Sequence, residues 1–174
     1  MARVLLTNDD GVDAAGLQAN VDAMRAAGHD TVVVAPTGNR SAMGHRVTVR
    51  ERIELVPVLR EPGLEIWSCS GTPADCVRMA FFADWIDPFD VVLSGINHGV
   101  NLGEDVFYSG TYAAAAEGAF LGLPAIAASQ AGADADPGFL SEHPRSFPHA
   151  GYLAQVVSAM AEQRPPGAVL NFNF

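Results

Sequence analysis

RVLLTNDDG, residues 3–11, sets the reading of the whole chain. Residues 3–7 form a short apolar run that reads as a buried strand, and the polar Asn8-Asp9-Asp10-Gly11 follows at its carboxyl end. Asp13 is then expected to cap a helix whose Leu17, Val21 and Met24 share one face and which Gly28 stops. A second apolar run, TVVVAP at 31–36, reads as a second strand. Continuous apolar strands of this kind suit a parallel sheet covered on both faces.

The polar loop TGNRSAMGH follows. From Arg46 the pattern changes: Val47, Val49, Ile53 and Leu55 alternate with Thr48, Arg50, Arg52 and Glu54, which predicts a half-exposed strand. Glu61-Pro62-Gly63 is a turn, and LEIWSCS at 64–70 returns as its antiparallel partner at the sheet edge. Thr72 as N-cap, Pro73 at the first helical position and Asp75 three residues on predict a helix that buries Val77, Phe81 and Trp85. FDVVLSG at 89–95 is a strand, 96–108 a glycine-rich loop, and 109–121 an alanine-rich helix capped by Ser109 or Thr111. Residues 124–129 form a strand and 130–146 a loop; Leu153, Val156, Val157 and Met160 mark a helix, and AVLNFNF is a last strand. Strand–helix alternation predicts one α/β domain over residues 1–174: a mostly parallel sheet with right-handed crossovers and an antiparallel edge hairpin.

Composition excludes several functions. All ten basic residues are arginines, so a Walker lysine, a kinase lysine and a pyridoxal Schiff base are ruled out. A formal charge of -10 argues against a nucleic-acid duplex as partner. The 49% hydrophobic and 17% charged fractions supply a globular core, and no apolar run approaches the ~18 residues of a membrane span. The N-terminus lacks the pattern of a signal peptide. Cys69 and Cys76 form neither a disulfide framework nor a zinc motif, so the cytoplasm is the expected compartment.

In such folds ligands bind beyond the carboxyl ends of the strands. The three most polar loops sit there: 8–11, 39–41, and the stretch after FDVVLS. Two readings of Asp9-Asp10 stand side by side: one caps the helix while the other is solvated, or the two share a cation. Ser41 and Asn97 add neutral oxygens, and Asp, Asp, Ser and Asn make an all-oxygen set suited to a hard ion such as Mg²⁺, Mn²⁺ or Ca²⁺ rather than zinc. Each of those two residues also reads as an ordinary loop residue. YSGTY opens a helix whose amides favour phosphate, or Ser109 and Thr111 simply cap it. His45 and His98 lie in the site loops within reach of a substrate.

The segments LLTNDDG, VVVAPTGNRSAMG, SGTPADCV, VVLSGINHGVNLGEDVFYSGT, AAAAEG, LGLPAIAAS and LNFN resemble, in order and spacing, the SurE survival-protein family. The resemblance implies a Rossmann-like three-layer α/β sandwich. It implies a phosphomonoesterase that needs one divalent cation, Mg²⁺ or Mn²⁺, and acts on nucleoside 5′- and 3′-monophosphates. It assigns the metal to Asp9, Asp10, Ser41 and Asn97, with Asp9, Asp10 and Asn97 catalytic. Asn8, Gly95, Ser109, Gly110 and Thr111 match the phosphate-proximal part of the pattern. A non-catalytic metal-dependent nucleotide binder on the same fold is the alternative. Ala15, Ala42 and Tyr112 depart from the pattern, and family chains continue past LNxN into a segment that builds oligomer contacts. This chain is therefore expected to lack that segment, as a fragment or a short homologue. A homodimer or larger assembly is expected, through the sheet edge or neighbouring helices, with the apolar face of the last strand seeking a partner.

Overall fold

Strands at the centre of the sheet bury both faces with period two. In β1 (Arg3–Thr7), Val4 and Leu6 join one apolar cluster and Leu5 the other; in β2 (Asp30–Pro36), Val33 and Ala35 face one way, Val32 and Val34 the other. The computed structural model describes residues 1–132, 146–163, 165 and 167–174. The chain continues through β3 (Leu55–Glu61), β4 (Leu64–Cys69), β5 (Val91–His98), β6 (Ala125–Gln130) and β7 (Val169–Asn173). The helices are α1 (Ala15–Ala26), α2 (Pro73–Phe82), α3 (Gly110–Phe120) and α4 (Ala150–Gln163), with a 3-10 turn at Gly103–Phe107.

The seven strands lie in the order β3-β4-β2-β1-β5-β6-β7. Every pair is parallel except β3–β4, the hairpin at one edge. Leu17, Val21 and Met24 of α1 and Leu153 and Val157 of α4 pack on one face. Val77 and Ala80 of α2 and Ala114, Ala115 and Ala119 of α3 pack on the other. The Rossmann-like three-layer sandwich expected from the sequence is thus the observed architecture.

One topological expectation is overturned. From β1 to β2 the chain moves toward β3 with α1 on the first face. From β4 to β5 and from β5 to β6 it moves the opposite way with α2 and α3 on the second face, which is the same hand. From β6 to β7 it again moves away from β3, but α4 lies on the first face beside α1. The β6–α4–β7 crossover therefore has the opposite hand to the other three. A right-handed connection there would put α4 on the side α3 already covers and leave the first face of β5 and β6 bare. Covering that apolar surface outweighs the steric preference for one hand.

Local readings are corrected in four places. The half-exposed strand expected from Arg46 begins only at Leu55 and runs to Glu61, because residues 46–48 bond the start of α2 instead: Thr72 Oγ1 donates to Arg46 O at 2.6 Å, and Thr48 N donates to Asp75 Oδ1 at 3.0 Å. Phe81 and Trp85 are exposed, 40% and 59%, while Ala74, Cys76 and Ala80 share the buried face with Val77. Residues 96–98 extend β5 rather than opening the loop. Asp13 does not cap α1; Ala14 occupies the N-cap with no side-chain bond. The capping box of Thr72 and Asp75 forms as expected, and Ser109 rather than Thr111 caps α3. Most of the expected 130–146 loop, with His143, lies outside the described residues.

Alanine and glycine let α3 lie close to the sheet. A Cβ on Gly118 would sit 2.7 Å from Val92 Cγ2 and 3.0 Å from its Cβ. Gly118→Ala is therefore expected to destabilise the fold by about 1–3 kcal/mol through overpacking. Denaturant unfolding measures this; a variant as stable as the parent would show that α3 is free to move outward.

Candidate active site at the carboxyl ends of β1, β2 and β5

β1 lies between β2 and β5, and the chain leaves it in one direction and later returns on the other side. That is the switch point where such sheets open a crevice. Asn8 closes the first loop on itself: its Oδ1 accepts from Gly11 N at 3.1 Å and its Nδ2 donates to Gly11 O at 2.9 Å. Gly11 has φ 113 and its Cβ would lie 3.1 Å from Gly38 Cα, so only glycine lets the first two loops meet. Val12 N donates to Pro36 O at 2.9 Å and Arg40 N to Asp9 O at 2.6 Å. Those bonds tie the Asp9 loop to the loop of residues 36–40; the next residue, Ser41, is exposed, and its amide donates to Asn39 Oδ1 at 2.8 Å.

Asn97 arrives from β5 beyond a bulge in the β5–β6 pairing between Ser94 and Asn97. Its Nδ2 donates to Gly99 O at 2.8 Å, which leaves the side-chain oxygen as an acceptor. Gly95 has φ 123, and a Cβ there would lie 2.2 Å from Ala128 O, so its glycine is required by packing against β6.

The N-terminus of α3 is pressed onto Asp9. Ser109 caps the helix by accepting from Tyr112 N at 3.0 Å. A Cβ on Gly110 would stand 2.7 Å from Asp9 Cβ and 2.9 Å from Asp9 Oδ2. Thr111 Oγ1 donates to Asp9 Oδ1 at 2.5 Å. Asp9 is only 4% exposed. Burial raises its carboxyl from the ordinary 3.8 to about 6; the Thr111 hydroxyl opposes the shift, and the negative charge of Asp10 adds to it. Asp10 is partly buried and lines a cleft of about 480 Å³ with Gly11, Asn39, Ile96 and His98. Asp9, Ser41 and the α3 terminus lie outside the lining of that cleft.

The donor set fits a hard cation. Among the described residues no three His, Cys, Asp or Glu side chains gather as a metal cluster. The candidate set is instead two carboxylates with a hydroxyl and an amide oxygen. A buried carboxylate beside a second one is costly until a positive charge neutralises the pair, and oxygen donors select magnesium or manganese over zinc.

His45 is held within the chain. Its Nε2 bonds Glu117 Oε2 at 2.7 Å and its ring stacks on Phe120. Glu117, a lone acid in the alanine-rich helix, went unnoticed in the sequence, as did Asn101, whose Nδ2 donates to Ser129 Oγ at 2.8 Å and whose amide meets Asn173 Oδ1 at 2.7 Å. A single charge amid small apolar residues was the available signal for Glu117.

Asp9 gives the metal-free protein a pH dependence of definite sign. The folded state holds the Asp9 proton more tightly than the unfolded state, so this group's contribution to stability falls as pH rises from about 4 through about 6. The loss amounts to roughly 2–3 kcal/mol at neutral pH. Asp9→Asn is expected to be more stable than the parent at pH 7.5 in chelator, with the gap closing near pH 4. Urea unfolding of both proteins across that range checks it; parallel pH profiles would contradict the burial of a costly charge.

The survival protein SurE family profile matches residues 4–174. A 5′-nucleotidase SurE of Synechococcus sp. strain CC9311 is 47% identical over 175 residues, covering 98% of this chain and 63% of that protein. A 5′-nucleotidase SurE of Prochlorococcus marinus strain MIT 9303 is 46% identical, covering 98% and 62%. The crystal structure of the SurE protein from Aquifex aeolicus superposes with a TM-score of 0.76 at 34% identity, covering 98% of this chain and 66% of that one. The chain thus spans less than two thirds of the length of the relatives it matches. With the family profile matched from β1 to β7, the chain belongs to the SurE family of survival proteins.

Proposed function

We propose that the chain carries a divalent-metal-dependent phosphomonoesterase that hydrolyses nucleoside 5′- and 3′-monophosphates. The observation that carries this reading is Asp9: a buried carboxylate beside Asp10, against the N-terminus of a helix, in want of a cation. Relatives that bear the name 5′-nucleotidase support it.

In this reading Asp9, Asp10, Ser41 and Asn97 hold one Mg²⁺ or Mn²⁺. Such an ion polarises phosphoryl oxygens and lowers the pKa of water. The chain's own groups do the rest. Thr111 directs its hydroxyl and its amide to Asp9, so it positions that carboxylate. Ser109 Oγ accepts the Tyr112 amide and keeps its own proton to donate, and Gly110 N lies at the open end of α3. Those two donors meet the equatorial phosphoryl oxygens, where charge builds. Asn8 and Gly95 shape the loops that carry the ligands. Water adds to phosphorus opposite the ester oxygen, the P–O ester bond breaks, and the nucleoside oxygen leaves with a proton. We place the protein in the cytoplasm, a setting in which the free thiols of Cys69 and Cys76 persist.

Phosphate release from AMP, GMP and an aryl phosphate tests the activity. EDTA is expected to abolish it, Mn²⁺ or Mg²⁺ to restore it, and zinc to do so poorly. Asp9→Asn should lower the metal-dependent rate by at least ~100-fold, of the order seen when one electrostatic stabiliser is removed. Activity that survives exhaustive chelation, or returns only with zinc, rejects the ligand set. Metal-dependent nucleotide binding in calorimetry without turnover makes the protein a binder.

We also propose a homodimer or larger assembly. Among the described residues β3 and β7 each have one edge without a partner strand, and Val56, Val58 and Leu59 of β3 are exposed. The apolar face of β7 contributes less than its pattern suggested, since Phe172 and Phe174 pack on Tyr152 and His149 of their own chain. Light scattering over a concentration series is expected to give a mass above that of the monomer. A constant 18.3 kDa rejects the assembly.

A further inference from the structure

Ser41 lies in the long connection between β2 and β3, and the bonds that fix this connection fall on either side of it. Arg40 N donates to Asp9 O at 2.6 Å before it, and Gly44 N donates to Tyr108 O at 2.9 Å after it. Ala42, next to Ser41, has φ 58, a left-handed conformation that a residue with a Cβ adopts only when its surroundings impose it. Something must hold this segment against that strain.

Glu117 supplies the anchor. Its side chain is 7% exposed, and both oxygens are engaged at 2.7 Å: Oε1 by Arg78 Nη1 and Oε2 by His45 Nε2. A buried carboxylate with no partner is costly; Arg78 supplies one partner and His45 ties the second oxygen to the Ser41 loop. The Phe120 ring, parallel to the His45 imidazole at 5.5 Å, sets the ring plane. Glu117 stands six residues after Thr111 on the same helix, roughly 9 Å along the axis. One rigid element therefore touches both halves of the cation site. The first turn of α3 grips Asp9, and two turns on, Glu117 grips the loop that carries Ser41.

We propose that the His45–Glu117 pair is a strap that seats the Ser41 loop on α3, and that both are positioning residues for the cation site. The inference rests on the metal-dependent reading above, but the strap itself is a property of the metal-free chain. His45 is half-exposed and Arg78 still pairs Glu117 when His45 is removed, so His45→Ala leaves the fold intact.

The test has two readouts. Amide hydrogen exchange of residues 40–46 is followed in metal-free parent, His45→Ala, His45→Gln and Arg78→Ala. Mn²⁺ affinity is then measured by electron paramagnetic resonance on the same proteins. His45→Ala is expected to raise exchange of 40–46 at least tenfold and to weaken Mn²⁺ about tenfold. His45→Gln, which keeps a donor, recovers part of both. Arg78→Ala, which lies off the loop, lowers global stability with little change at 40–46. Unchanged exchange in His45→Ala overturns the strap. Faster exchange with unchanged Mn²⁺ affinity overturns its service to Ser41. If the parent itself binds no Mn²⁺, the metal-dependent reading fails, and the strap stands or falls on the exchange alone.

Discussion

A negative charge is buried at the carboxyl end of β1, and much of the surrounding structure accommodates it. Asp9 sits where a parallel strand ends against the start of a helix, with the partial positive charge of that terminus beside it. Gly110 has no side chain because the carboxylate occupies the space a Cβ would need. Thr111 brings a hydroxyl, and the backbone carbonyl of Asp9 accepts the Arg40 amide that draws in the next loop. These contacts do not fully offset the loss of water, and the carboxyl remains raised to about 6.

The sheet order places that charge at the centre of the molecule. β1 is flanked by β2 and β5, so loops distant in sequence converge over it. The reversed hand of the β6–α4–β7 connection belongs to the same design. It puts α4 beside α1 on the face that α2 and α3 do not cover. It also sets β7 so that Asn171 Nδ2 donates to Asn101 O at 3.0 Å and Asn173 Oδ1 accepts from the Asn101 amide. The glycine-rich loop after β5 is thereby fastened to the last strand. The site is braced from both sides, by β7 at one flank and by the strap from Glu117 at the other.

The connection between β2 and β3 shows how a local pattern can mislead. Alternating apolar and charged residues from Val47 to Leu55 carry the period of a strand. In the fold, Arg46 and Thr48 bond the capping box of α2, and the ladder with β4 begins only at Leu55. Leu55 to Glu61 pairs instead, although it contains Pro57, because an edge strand tolerates a missing donor. Backbone bonds to a helix terminus outcompeted the periodic pattern, and nothing local announced them.

Read alone, the sequence determined the class of fold. Continuous apolar runs at 3–7, 31–36 and 89–95 demanded a sheet covered on both faces, the Thr72–Asp75 cap and the glycine turns placed element ends, and the polar residues after each strand marked the crevice. These features are legible because burial and capping act over a few neighbouring residues. The tertiary structure alone decided the rest: the hand of the last crossover, the depth at which Asp9 is buried, the packing reason for Gly95 and Gly110, and the pairing of His45 with Glu117. Each of these depends on atoms brought together from far along the chain, 72 residues apart for His45 and Glu117 and 102 for Asp9 and Thr111, and no local spacing encodes such a distance.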